Sequence, residues 1–245
     1  FVGDGSELTG VASTENIRTN TNATFLQNIN VGVAITAGKL GIGFTDANVK
    51  VGNTALNSLT IGTNNTAVGN QSLLSNTTAD NHTAVGHLAL QANTTGANNT
   101  AIGAFALDAN TTASNNTSIG YASLSANTTG TQNNAFGVNC LDANTTGNYN
   151  VAMGVNALGA NTTADNNSAF GTNALLLNTT GTSNTAVGAF ALDANTTADN
   201  NTAIGNHSLG ANTTGGNNSA FGVSALGANT TGASNVAVGA NALDA

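Results

Sequence analysis

Thr100-Ala-Ile-Gly-Ala-Phe-Ala-Leu-Asp-Ala-Asn-Thr-Thr-Ala-Ser-Asn-Asn116 is one copy of a seventeen-residue unit that repeats from Val49 to the end of the chain. Its fourth residue is glycine in every copy: Gly52, Gly69, Gly86, Gly103, Gly120, Gly137, Gly154, Gly171, Gly188, Gly205, Gly222 and Gly239. Eleven copies are complete, and a twelfth runs for ten residues to Ala245. Strict self-similarity at a short period predicts stacked coils, each touching only its neighbours. Composition alone would suggest disorder, because Asn, Thr, Ala and Gly dominate and only 6% of residues are charged. The unbroken frame overrides that reading, since a disordered tract has no reason to hold aliphatic residues in register.

The unit can be read position by position. Position three is always apolar, ranging from Val68 through Ile102 and Met153 to Phe221. Position eight is always Leu, from Leu56 to Leu243, and position seven is always small. Cys140 falls at position seven, where it reads as a third small residue beside Ala and Ser. Position two is Ala in all copies but two. Neighbouring residues of a strand point to opposite faces. The pairs two/three and seven/eight are therefore expected to form two short strands, each with a small face and a larger apolar face. A helix does not fit, because apolar spacings of five and nine match no helical face and glycine interrupts every copy. Positions eleven to seventeen read as turn chemistry, and stacking should set Asn over Asn in amide ladders. A single coil offers a thin core, so sharing of the small-residue faces between copies of the chain is expected.

Residues 1–48 form a different region, taken as a connector with short strands. Asp4-Gly5 marks a turn, and Leu26 to Ile42 alternates loosely in Val, Ile, Ala and Gly. Gly38-Lys-Leu-Gly-Ile-Gly43 lacks the Gly-Lys-Ser/Thr ending of a phosphate loop and reads as a plain turn. The first coil, Val49 to Asn65, carries Leu59-Thr-Ile-Gly62 in place of Asn-Thr-Thr, as a terminal repeat should.

Charge narrows the function. Arg18, Lys39 and Lys50 are the only basic residues, and beyond Lys50 the charged residues are all Asp. Such a surface cannot neutralise phosphates or anionic lipid, so neither nucleic acid nor a membrane surface is an expected partner. No apolar run approaches the roughly 20 residues of a membrane helix, and no signal peptide is read. A chain beginning at Phe1 and stopping inside a repeat reads as a fragment or processed product.

No catalytic constellation is found, and no cofactor or metal site is expected. His82, His87 and His207 read as exposed polar residues. Asp108, Asp142, Asp193 and Asp244 share position nine but never in adjacent coils, so they read as solvated charges that discourage lateral aggregation. The Asn-Thr-Thr sequons are taken as turn sequence. Positions five and six vary most, and they supply the candidate surface-contact residues His87, Phe105, Tyr121, Phe190 and His207.

Asn65-Thr-Ala-Val-Gly69, Asn99-Thr-Ala-Ile-Gly103 and Asn167-Ser-Ala-Phe-Gly171, each followed shortly by Ala/Ser-Leu, resemble the head repeats of trimeric autotransporter adhesins. The resemblance covers residues 49–245. It implies a left-handed parallel β-roll with two short strands per copy and three chains around one axis. The family repeat is shorter, so the Asn-Thr-Thr turn is expected to be enlarged here. The opening Phe1-Val-Gly-Asp-Gly-Ser-Glu-Leu-Thr9 and Leu40-Gly-Ile-Gly43 also look like linkers of marine bacteriophage tail-fibre proteins. Together these features imply an all-β, homotrimeric solenoid. Its expected role is the shaft or adhesive part of a phage tail fibre, on the virion, contacting a host-surface glycan or protein. A bacterial or algal surface adhesin or extracellular filament is the alternative. An ice-binding solenoid, suggested by the Thr-Thr pairs, is the third reading.

Overall fold

The computed structural model describes residues 48–244, and the readings made for residues 1–47 lie outside them. The described residues form an all-β solenoid. Twelve three-residue strands recur every seventeen residues, from Val49–Val51 and Thr66–Val68 to Val236–Val238. They make one twelve-stranded sheet in sequence order. Every pairing is parallel and in frame, so Thr100 lies against Thr117, Ala101 against Ser118 and Ile102 against Ile119.

Coil-to-coil bonding does not stop at the strands. At position six, Phe105 N–H donates to the His87 carbonyl of the coil before, and at position eight Leu107 N–H donates to Ser123 of the coil after. At position twelve, Thr94 N–H donates to Thr111. Donors thus alternate between the two neighbouring coils around the circumference. This satisfies the backbone groups that an irregular turn would leave orphaned.

The expected second strand does not form. Positions six and eight both take the left-handed backbone, with φ of +59° at Phe105 and +53° at Leu107, and +50° at Asn139 and +57° at Leu141. An extended strand would send positions seven and eight to opposite faces. With the left-handed residues interrupting it, Ala106 and Leu107 are both fully buried. The left-handed conformation costs a leucine about 1–2 kcal/mol, and full burial of its side chain returns about 1.5–3. Leucine at this position therefore serves the interior, where from Leu73 to Leu226 it is the one large aliphatic side chain of its coil.

Much of the rest of the interior is amide. At position eleven, from Asn93 on, each asparagine Nδ2 donates to the Oδ1 of the coil before and to the carbonyl at position fourteen of its own coil. Asn144, for example, donates to Asn127 at 2.9 Å and to Gly147 at 3.0 Å. The file is unbroken from Asn76 to Asn229. It ends at the first coil, where Leu59 replaces the asparagine and packs against the core. A second file runs at position seventeen. There Asn116 Oδ1 accepts the Asn133 N–H at 2.9 Å, and Asn116 Nδ2 donates to the Gly130 carbonyl at 2.8 Å. The expected Asn-over-Asn ladder is thus present, and it lies inside the coil. Asn48, placed in the connector by sequence, already acts as position seventeen: it is buried and accepts the Asn65 N–H.

Candidate contact surface

The three-residue strand divides each coil into an inside and an outside. Ala at position two points in and is fully buried, from Ala67 to Ala220. The side chains at positions one and three point out. Position three is apolar throughout, yet Ile102, Met153, Phe170, Val187, Ile204 and Phe221 are 37–47% exposed. The single chain therefore carries an apolar file along the outer face of its sheet, flanked at position one mostly by Thr, Ser or Asn.

The position-four glycines turn the chain out of the strand. Gly154 has φ +139°, and a Cβ there would lie 2.5 Å from the Gly171 carbonyl oxygen of the next coil. Gly120 and Gly205 show the same geometry, with 2.2 and 2.3 Å to the carbonyl oxygens of Gly137 and Gly222. Glycine is required on two counts, since φ of this kind is closed to L side chains and the neighbouring backbone occupies the space.

Directly after this bend, positions five and six form a corner where the variable residues gather. His87 meets Phe105 edge to face with ring centroids 5.5 Å apart, and Phe105 meets Tyr121 in the same way at 5.8 Å. Tyr121 is 54% exposed, and His87 is exposed as well. Five coils along, Phe190 stacks flat on His207 at 4.9 Å and 3°. The five candidate contact residues are thus collected into two aromatic clusters on one edge of the solenoid. At about 4.8 Å per coil the clusters lie about 24 Å apart.

Three readings from sequence require correction. His82 is buried, because it occupies position seventeen and takes the place of the ladder asparagine. Its Nδ1 accepts the Asn99 N–H at 3.2 Å, and its Nε2 lies 3.2 Å from the Asn93 Nδ2 of the position-eleven file. Burial lowers its pKa to about 4, so the ring is neutral at pH 7. The position-nine acids Asp108, Asp142 and Asp193 are half-buried against the coil surface, and desolvation raises each above the ordinary carboxylate range. The position-eleven asparagines of the sequons are interior ladder members, with Asn76 to Asn212 fully buried.

Sequence reading also missed the role of position fifteen. The carboxylate of Asp165 accepts the Asn148 N–H at 2.6 Å, and that of Asp199 accepts the Thr182 N–H at 2.6 Å. These acids bond one coil to the next, a role that their scattered occurrence did not signal. Cys140 is a free thiol, fully buried in its position-seven slot, and burial pushes its pKa up to about 12. Among the described residues no group of three or more His, Cys, Asp or Glu is placed to hold a metal ion, and no helix is long and apolar enough to cross a membrane. No protein-family model, curated protein or solved structure matches this chain.

Proposed function

We propose that the array is a fibrous structural element that assembles with copies of itself, and that it serves as the shaft or adhesive part of a phage tail fibre in host attachment. The observation that carries this reading is the apolar file at position three. Contiguous exposed apolar surface on a soluble protein marks an interaction site. A partner covering this file must match apolar groups at a rise of about 4.8 Å along about 55–60 Å. A second copy of the array meets that condition by construction, since its own file has the same rise and length. Three copies around one axis, as in the adhesin heads that the repeat resembles, would bring the three files together. The aromatic corners would then serve as host contacts. In this reading the array has no catalytic role, and it acts outside a cell, on a virion.

The same rod would serve a bacterial or algal surface adhesin or filament, so the particle that carries it decides between them. The ice-binding reading gains little. The position-twelve hydroxyls are spent on coil-to-coil bonds, such as Thr128 Oγ1 to the Thr145 carbonyl at 3.1 Å. Only a single file of exposed threonine remains, at position thirteen.

Sedimentation equilibrium of the full chain at micromolar concentration tests the assembly. A trimer is expected, and the double variant Phe136→Asp/Phe170→Asp should sediment as a monomer that keeps its β spectrum. A stable monomeric parent would overturn the self-association. Gold-labelled antibody to the array, viewed by electron microscopy, should mark virion tails. Label confined to cell envelopes would replace the phage reading with the adhesin one.

A further inference from the structure

The corner that carries Phe190 and His207 continues into a groove. Position nine is glycine in two consecutive coils, Gly210 and Gly227, and nowhere else are two such glycines adjacent. Their missing side chains open a groove of about 370 Å³ lined by Asp193, His207, Ser224 and Asp244. The two acids belong to the coils on either side of the glycine pair, and both lean into the gap. Asp193 Oδ1 lies 3.4 Å from where a Gly210 Cβ would stand, and Asp244 Oδ1 lies 2.5 Å from the equivalent point on Gly227. Phe190, stacked flat on His207, fixes the imidazole as one wall.

We infer that this groove binds a neutral sugar, a mono- or disaccharide whose vicinal hydroxyls donate to the Asp193 carboxylate, while the Asp244 carboxylate, three coils or about 14 Å along, closes the far end. The inference gives the adhesive reading above a ligand class and rests on it. Carboxylates are acceptors only, so they suit a ligand that presents hydroxyl hydrogens in pairs. The His207 ring and the Ser224 hydroxyl can both donate and accept, which completes the polar rim. The volume falls at the lower end of the range for small-molecule sites. Beyond Lys50 the chain has no Lys or Arg to neutralise these carboxylates, so an anionic sugar is repelled. Position nine is also the place where such a groove can arise without damage to the stack. It is already occupied by Leu74 and Leu176 in other coils, so its side chain is not part of the interior.

The test is a titration of the full chain, by calorimetry and saturation-transfer NMR. The neutral probes are the methyl glycosides of glucose, galactose, mannose, fucose and N-acetylglucosamine. N-acetylneuraminic acid is the anionic probe, and calcium chloride is run alone. At least one neutral glycoside should bind and the anionic sugar should not. The variant Gly210→Leu/Gly227→Leu fills the groove with a residue that position nine already accepts, so its melting temperature should stay at the parent value while binding is lost. Asp193→Asn should weaken binding about tenfold, as expected for one charge-assisted hydrogen bond, and Asp108→Asn should not. Binding that survives the filled groove, binding of calcium alone, or silence from all five glycosides would overturn the assignment. Attachment of the labelled chain to host cells is measured in parallel. Attachment without glycoside binding would refute the groove and leave the adhesive reading standing, whereas loss of both would refute both.

Discussion

Gly154→Ala is the substitution that separates the forces holding one coil to the next. The backbone at Gly154 has φ +139°, and holding an alanine there costs about 1–3 kcal/mol in strain. The added methyl would also stand 2.5 Å from the Gly171 carbonyl oxygen, under the 3.0 Å that real Cβ contacts keep to. Relief requires the coils to separate locally by about half an ångström. That would stretch Gly171 N–H to the Met153 carbonyl and Asn173 N–H to the Val155 carbonyl, now 2.8 and 3.0 Å, toward the end of the useful range. Weakening two such bonds adds about 0.5–1.5 kcal/mol each, for a total of about 2–6 kcal/mol. Gly159→Ala is the control. It sits at position nine without a positive φ, its nearest neighbour to a new Cβ is the Asn156 carbonyl oxygen at 3.2 Å, and its effect should stay within about 0.5 kcal/mol. Guanidinium unfolding followed by circular dichroism measures both. A Gly154→Ala midpoint equal to that of Gly159→Ala would refute the close-approach argument.

The amide ladder should be equally sensitive. Asn144→Leu leaves Asn127 Oδ1 and Asn161 Nδ2 without their ladder partner in a dry interior, at about 1–3 kcal/mol each, whereas Asn98→Ala on the exposed file should cost under about 1. Equal midpoints in denaturant would mean that the buried ladder contributes nothing. His82 predicts a pH dependence. Its folded pKa, about 4, lies below the unfolded value of 6.5, so the unfolded chain binds the extra proton. Stability is then complete above about pH 6.5 and falls as the pH drops toward 4, by about 1–2 kcal/mol between pH 7 and 5. His82→Asn restores the usual ladder residue and should abolish that loss, and a variant that still loses the same stability over this window would contradict the assignment. Cys140 should resist thiol reagents in the native state and react only on unfolding, with a rate that tracks denaturant. Prompt labelling of the native chain would show that its slot is open.

The period, the in-frame parallel stack, the opposite facing of Ala and the larger apolar residue in the strand, and the Asn ladder were legible, because each follows from which residue recurs and how far apart. That the Ala face turns inward and the apolar face outward was not, since the small faces were expected to be the shared ones. The left-handed backbone at Leu107 and its counterparts was not. Leucine has no intrinsic preference for φ > 0. The conformation is imposed by bonding between coils and by the interior volume that Leu fills, neither of which a single copy of the unit encodes. The same blindness affected the polar interior. Asn110 and Asn116 carry turn residues' chemistry, and only the closed coil reveals that the turn folds their amides inward. His82 was misread for this reason, since its meaning depends on standing in a file of buried asparagines. The Asp193 to Asp244 groove was in principle readable, as the two adjacent position-nine glycines at Gly210 and Gly227 are bracketed by acids.

Positions three and five make a comparison within the one chain. Both lie on the outside, with Met153 47% and Val155 45% exposed in the same coil. A lone solenoid gains little from an apolar side chain at either place, because neither reaches the interior. Yet position five passes through Asn70, His87, Ala104, Tyr121, Val138 and Thr172, while position three never takes a polar residue in twelve copies. Drift at an exposed site scatters residue types, as it has at position five. The stability of the single coil cannot account for the restriction at position three, because the work of the interior falls to Leu at position eight and the two asparagine files. The self-assembly proposed above would favour apolar residues along the whole file. A partner with the same rise is the simplest physical cause, and another copy of this array supplies it.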